Sequence, residues 1–327
     1  MKKLSIIIAA ALSLLSLAIS CNEPEPELPA SSGETGEVIV IATKGQWESE
    51  VGNALRSVLT ADYPYLPQTE PLFRVSNIPP QSFNHIFKVN RNIVVLKIED
   101  TCSTAMQVRR NVWARPQTVV SISAPSEDAA VSFIAENGST IVDTYEKAER
   151  SRAISNAKEF PAGGVREFLL PRFGGSPYFP KGYSIKKQTD DFVWISNETA
   201  YTNQGIFLYK FPYEGSFQLT PAYLVSKRDA VMKDNVPATA ENSYMITNPM
   251  IAPGYAEVTS NDIERKELRG LWDTYNDYMG GPFLQHAIVS KDGKEVIVVE
   301  GFVYAPRYDK RNYLRGVEAI VYSFDWE

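Results

Sequence analysis

Histidine and cysteine are nearly absent from this chain of 327 residues: it has two of each. Two histidines exclude a histidine-rich metal centre, and no C-x-x-C or H-E-x-x-H spacing occurs. No Lys/Arg run is longer than two, and the formal charge is -6 with a pI near 5.3. A nucleic-acid partner calls for a clustered basic face, so that class is excluded. There is no phosphate-cradling glycine loop and no G-x-S-x-G nucleophile elbow. No cofactor or metal is implied. Beyond the first twenty residues no apolar run is long enough to span a bilayer.

What is present is an ordinary globular composition, 44% hydrophobic and 22% charged. The exception is the N-terminus. Met1-Lys2-Lys3 precedes the apolar run Leu4–Ile19, which has the make-up of a secretion signal. Leu17-Ala18-Ile19-Ser20-Cys21 resembles a bacterial lipobox. That resemblance implies cleavage before Cys21, a diacylglyceryl thioether on its sulfur, and usually a further acyl chain such as palmitate on the new amino group. Several chains hold a protein to a bilayer far more firmly than one. The expected membrane partner is therefore reached through Cys21.

Residues 21–36 alternate Glu with Pro and then turn to Ser and Gly, the composition of an acidic, flexible tether. Asn22 is not the aspartate that retains enteric lipoproteins at the inner membrane, so the outer membrane is expected. The acidic residues after Cys21 resemble the surface-export signal of Bacteroidota lipoproteins, although prolines interrupt the acidic pair. Cell surface and periplasmic face both stay open.

An α+β fold is expected, as two antiparallel-sheet-plus-helix domains at 37–160 and 178–327, joined by a linker at 161–177. In the first, strands are read at 37–43, 92–99 and 113–124. An amphipathic helix with Trp47, Val51, Ala54, Leu55, Val58 and Leu59 on one stripe follows the first strand. Ser126 caps a helix through Ile134, and 139–160 reads as another. Cys102 falls between strands as a small loop residue. In the second domain, Thr220-Pro221 opens a helix through about Lys233, and Arg311–Phe324 forms a terminal helix.

Between them, Asp292-Gly293 predicts a type I′ hairpin turn, whose two central residues both need positive φ. A two-residue loop pairs Val289 with Val296, Gln285 with Glu300 and Phe283 with Phe302. Both faces of this hairpin are apolar, so it belongs at the centre of a sheet. Glu300 is then a carboxylate on an apolar face, which must be paired, protonated or open to a cleft. Gln285 stands opposite, and Arg269 or Arg315 is the expected source of charge. Glu300, Gln285 and Arg269 form the candidate polar cluster. Trp272, Tyr275 and Tyr278 form an aromatic row suited to stacking on a sugar, or to a core. Gly280-Gly281-Pro282 reads as a bend into the hairpin.

The stretches KGQWESEVGNALRS, NVWARPQ, FPKGYSI, DDFVWI, LRGLW, DYMGGPF and VEGFVYAPRYDKRNYLR resemble the Bacteroidota lipoproteins of domain-of-unknown-function family DUF4837. The resemblance extends over nearly all of the mature chain and is most specific at the C-terminus. It implies a lipid-anchored envelope protein of unknown activity and carries no catalytic residues with it. The leading expectation is a non-enzymatic binding or assembly lipoprotein, with a protein or glycan partner in the envelope. The alternative is an envelope hydrolase with an acidic (Asp/Glu) site, directed at glycans.

Overall fold

The structure, a computed structural model, describes residues 27–327. Cys21, the signal segment and the first part of the tether lie outside the described residues. Among those described, no helix is long and apolar enough to cross a membrane.

The class is α+β. In the N-terminal half the strands are β1 Glu37–Ile41, β2 Arg74–Ile78, β3 Asn92–Ile98, β4 Ala105–Arg110 and β5 Thr118–Ala124, in the order β2-β1-β3-β5-β4. Helices α1 Lys44–Glu48 and α2 Glu50–Leu59 follow β1, α3 His85–Lys88 precedes β3, and α4 Glu127–Glu159 follows β5. Only β4 runs antiparallel to its neighbour; β1 pairs parallel with both β2 and β3, and β3 parallel with β5. This corrects the expected antiparallel sheet. The physical reason is visible in β1: Val38 and Val40 pack under α2 and α4, while Ile39 and Ile41 are buried on the opposite face. A strand buried on both faces, followed by a helical crossover, belongs to parallel pairing.

Helix α4 is one element of 33 residues where two were expected. Gly138, which falls between the two expected helices, is a contact: a Cβ there would meet Val58 Cγ2 of α2 at 2.9 Å. The predicted strand at 113–124 begins only at Thr118, because Arg115 and Trp113 belong to a loop that Gln117 pins by accepting from the Trp113 amide. Cys102 is a free thiol in the turn between β3 and β4. The end of the tether is also corrected. Ala30 bridges to Arg115 and Ser32 to Asn90, so from about Pro29 the chain is docked on the domain.

Residues 161–177 hold helix α5 Val165–Phe173 and the short strand β6 Gly175–Ser176 rather than a bare linker. Val165, Leu169 and Phe173 are buried in the C-terminal core. The second sheet contains β7 Ser184–Gln188, β8 Phe192–Glu198, β9 Asn203–Pro212, β10 Tyr244–Thr247, β11 Gly254–Ser260, β12 Ile263–Tyr275, β13 Gly280–Val289 and β14 Glu295–Tyr304. Its order is β10-β12-β13-β14-β9-β8-β7, with β11 also on β12, and every pairing is antiparallel. Helix α6 Pro221–Asn235 covers one face, and α5 with α7 Arg311–Tyr322 covers the other; a last strand, β15 Asp325–Trp326, pairs with β6.

The predicted register is observed residue for residue: Val289 with Val296, Gln285 with Glu300, Phe283 with Phe302. The turn itself differs. Gly293 has φ 70° but Asp292 is not in the left-handed region, and the Gly293 amide donates to Ser290 O at 2.9 Å. Ser290 and Glu295 extend the ladder in the same register, so the loop is not the two-residue type I′ turn. An even-numbered loop of either length leaves the alternation unchanged.

The two halves share packing. Tyr63 lies in the C-terminal core and its hydroxyl donates to Glu318 Oε1 at 3.0 Å. Arg315 on α7 pairs with Glu146 on α4. Glu70 accepts from the Lys310 and Arg311 amides at 2.6 and 2.9 Å, capping α7 from the other half of the chain.

Candidate functional site

Of the expected cluster, Glu300 and Gln285 do meet, on the sheet face under α6. The cation that meets Glu300 is Arg228. Its Nε lies 3.1 and 3.0 Å from the two carboxylate oxygens of Glu300, and Nη2 lies 2.7 Å from Oε1. Nη1 donates to Thr247 Oγ1 at 3.0 Å, and the guanidinium lies over the Phe283 ring at 4.1 Å. Burial pushes Glu300 above its usual carboxylate range while Arg228 draws it back down. Gln285 Oε1 accepts from the Tyr209 hydroxyl at 3.2 Å. Both members of the ion pair are fully buried.

Arg269 is not part of this cluster. It lies on the opposite face of the sheet, where it pairs with Glu318, with Glu267 at 3.7 Å. Alternation explains the correction: Arg269 pairs with Leu284, one residue out of phase with Gln285. Arg315 is engaged by Glu146. The signal for Arg228 was present as the stripe Leu224-Arg228-Met232, spaced i, i+4, i+8, which puts Arg228 in the middle of the buried face of α6.

A second polar network lies on the Arg269 face. His286 is fully buried, its Nε2 3.0 Å from Glu267 Oε2 and its Nδ1 3.4 Å from Arg265 Nη1. Burial lowers His286 to about 4. Burial would raise Glu267, but the hydrogen bond from His286 and the charge of Arg269 outweigh it and hold the carboxylate at about 2. A neutral ring donating from Nε2 and accepting at Nδ1 fits both neighbours. Both networks join elements within the sealed interior.

An open site lies at one end of the same sheet. A groove of about 590 Å³ runs past Gln68, Asn248, Asp273, Asp277, Tyr278 and Lys310. Trp272, Thr274, Met279 and Tyr304 line both this groove and a slot of about 70 Å³ that continues it. Trp194, Asn203, Ala238 and Phe302 are among the residues that line the slot alone. Gly281 makes the arrangement feasible: a Cβ there would meet Val303 O at 2.1 Å and the Trp272 indole nitrogen at 3.0 Å. Trp272 Nε1 donates to that same carbonyl at 3.2 Å, fixing the ring at the junction of slot and groove.

The aromatic row is therefore split by the strand's alternation and the turn after it. Trp272 is buried, Tyr275 stacks on Tyr244 at 5.0 Å, and Tyr278 stands wholly exposed over the groove. Two residues that sequence reasoning missed, Trp194 and Asn203, carry the site's least expected feature. Trp194 Nε1 and Asn203 Oδ1 are buried and have no hydrogen-bond partner in the protein. Such groups are uncommon, because each costs the desolvation of an unmade bond. Asp277 accepts from the amides of Tyr278, Ala240 and Thr239, which hold it below its usual range. Among the described residues, no group of three or more His, Cys, Asp or Glu is placed to hold a metal.

Comparison with known proteins divides the chain in two. Residues 166–323 match the family model described as a domain of unknown function, DUF4837. Residues 31–158 match a different one, DUF8532, also of unknown function. The resemblance seen along nearly the whole sequence thus holds for the C-terminal half, and KGQWESEVGNALRS and NVWARPQ fall within the second family. No curated protein matches. Two solved structures are weakly similar. One, from Bacteroides thetaiotaomicron VPI-5482, is 7% identical, with 47% of this chain and 45% of that chain covered and a TM-score of 0.21. The other, the human StarD13 (DLC2) lipid transfer and protein localization domain, is 12% identical over 50% of this chain and 95% of its own, with a TM-score of 0.23. The chain spans less than half the length of the first, and at these TM-scores neither bears on fold or function.

Proposed function

Starting from a C-terminal half, residues 166–323, that belongs to the DUF4837 family, we propose a lipid-anchored outer-membrane lipoprotein that acts by binding. The anchor is Cys21, on the strength of its lipobox. The binding reading rests on one observation: an open groove runs into an aromatic slot whose wall holds an unpartnered donor and an unpartnered acceptor. Concave sites with apolar walls and a few polar groups are where small ligands and single arms of larger ones settle.

A hydrolase has one observation in its favour, since Asp273 and Asp277 both line the groove. Acid catalysis on a glycoside needs one carboxyl kept protonated near neutral pH. The backbone amides on Asp277 act in the opposite direction. Glu300, the other acidic candidate, is closed off and neutralised by Arg228. Binding is the better-supported reading.

The test is capture from detergent-solubilised envelopes with the full chain and with Ala238→Phe, which fills the slot. Material retained by the wild type and lost from the variant is the expected result. Equal retention by both, or none by either, overturns the reading.

A further inference from the structure

A single hydroxyl group can accept one hydrogen bond and donate another. Trp194 Nε1 needs an acceptor and Asn203 Oδ1 a donor, and both residues line the same slot. Asn203 is held for this role, because its Nδ2 points to Glu198 Oε1 at 3.4 Å and leaves the oxygen unused. The slot's volume of about 70 Å³ is small beside that of the groove it continues. It suits a hydroxyl or hydroxymethyl arm. The remainder of such a ligand must sit in the adjoining groove of about 590 Å³, within the range of ligand sites.

The groove specifies the rest. Trp272 and Tyr304 stand where slot and groove meet, and Tyr278 projects over the groove. Flat aromatic faces suit the C–H face of a pyranose ring. Asp273 and Asp277 outweigh Lys310, whose ammonium is engaged by Gln68 and the Tyr308 carbonyl, so a phosphate, sulfate or uronate would meet net negative charge there. We infer that slot and groove together form a site for a neutral saccharide, with one hydroxyl arm between Trp194 and Asn203 and the ring against Tyr304. This rests on the binding reading above and names its ligand class.

The experiment uses the full chain in a detergent without a sugar headgroup, with tryptophan indole nitrogens labelled by ¹⁵N. Neutral and acidic oligosaccharides are screened on an array, and the binders are titrated while the Trp194 indole N–H resonance is followed. The expected result is a saturable shift with a neutral glycan. Trp194→Phe and Asn203→Leu should each weaken binding at least tenfold, and Phe160→Ala, remote from the groove, should not. Each variant's dispersed spectrum shows that it has folded, and Asn203→Leu alone decides if Trp194→Phe has not. Binding of acidic glycans only, or neutral-glycan affinities unmoved by both variants, overturns the saccharide assignment. If no glycan binds but envelope material is still captured through an open slot, the saccharide class fails and the binding reading survives. If Ala238→Phe captures as much as the wild type, the binding reading fails itself.

Discussion

Arg228 reaches from the middle of α6 to both carboxylate oxygens of Glu300, at 2.7 to 3.1 Å, in a layer that excludes solvent. Removing either partner leaves the other charge buried and alone. Glu300→Ala is expected to cost about 3–5 kcal/mol. Glu300→Gln keeps an acceptor for the guanidinium and should cost clearly less. The double variant Arg228→Met/Glu300→Leu leaves no buried charge, so it should be markedly more stable than the sum of the single losses. Urea unfolding of the wild type, Arg228→Met, Glu300→Leu and the double variant measures this, and additive losses would show that the pair is not coupled.

The His286–Glu267 pair sets the acid response. His286 sits at about 4 in the folded protein, against 6.5 when exposed. Between those pH values only the unfolded chain takes up the proton, so stability falls as pH drops from 6.5 to 4, by about 3 kcal/mol in all. Glu267, held at about 2, adds a second loss as pH falls below 4.5. His286→Gln cannot titrate and should flatten the first interval; because the ring also helps hold Glu267 down, the second should shrink but persist through Arg269 and Tyr322. Unfolding free energies from pH 7 to 3 give the comparison. An unchanged slope in the glutamine variant assigns the loss elsewhere.

How much of this was legible in the sequence depended on period. The hairpin at 283–302 alternates strictly, so register, burial on both faces and the Gln285–Glu300 pairing followed from it. The turn type did not, because loops of different even length give one register. Strands β2 and β4 were missed because they are edge strands without a buried residue, which leaves no clear apolar alternation to read. Trp194 and Asn203 reach one slot only through the pairing of β8 with β9, in which Trp194 lies opposite Phe207 and Asn203 opposite Glu198. No local pattern announces a slot.

Gly138 shows the same limit and can be tested. In an exposed helix, Gly→Ala gains up to about 1 kcal/mol. Here the added methyl meets Val58, a stiff β-branched side chain, at 2.9 Å. Gly138→Ala should therefore destabilise, by roughly 1–3 kcal/mol, as overpacking does. Gly138→Ala combined with Val58→Ala should relieve the clash and recover part of that loss. A Gly138→Ala protein that melts higher than the wild type would show that α2 and α4 are not in this contact.

The last prediction concerns how far the protein stands from its membrane. Acylation of Cys21 predicts that Cys21→Ser abolishes labelling by a fatty-acid analogue; surviving label would place the anchor elsewhere. The structure then limits the reach of the anchored protein. Docking begins near Pro29, where the Arg115 amide donates to the Pro29 carbonyl at 2.8 Å, and Ser31 and Ser32 continue it. Eight residues separate Cys21 from Pro29 in the sequence. A fully extended chain covers about 3.3–3.6 Å per residue, so the span is at most roughly 28 Å. A tether free through residue 36 would reach about twice as far. Energy transfer from a dye at position 115, the exposed domain residue against which Pro29 docks, to a labelled bilayer surface should report a separation of about 35 Å or less. Distances well above that would mean that Ala30 and Ser32 leave the domain when the protein is anchored.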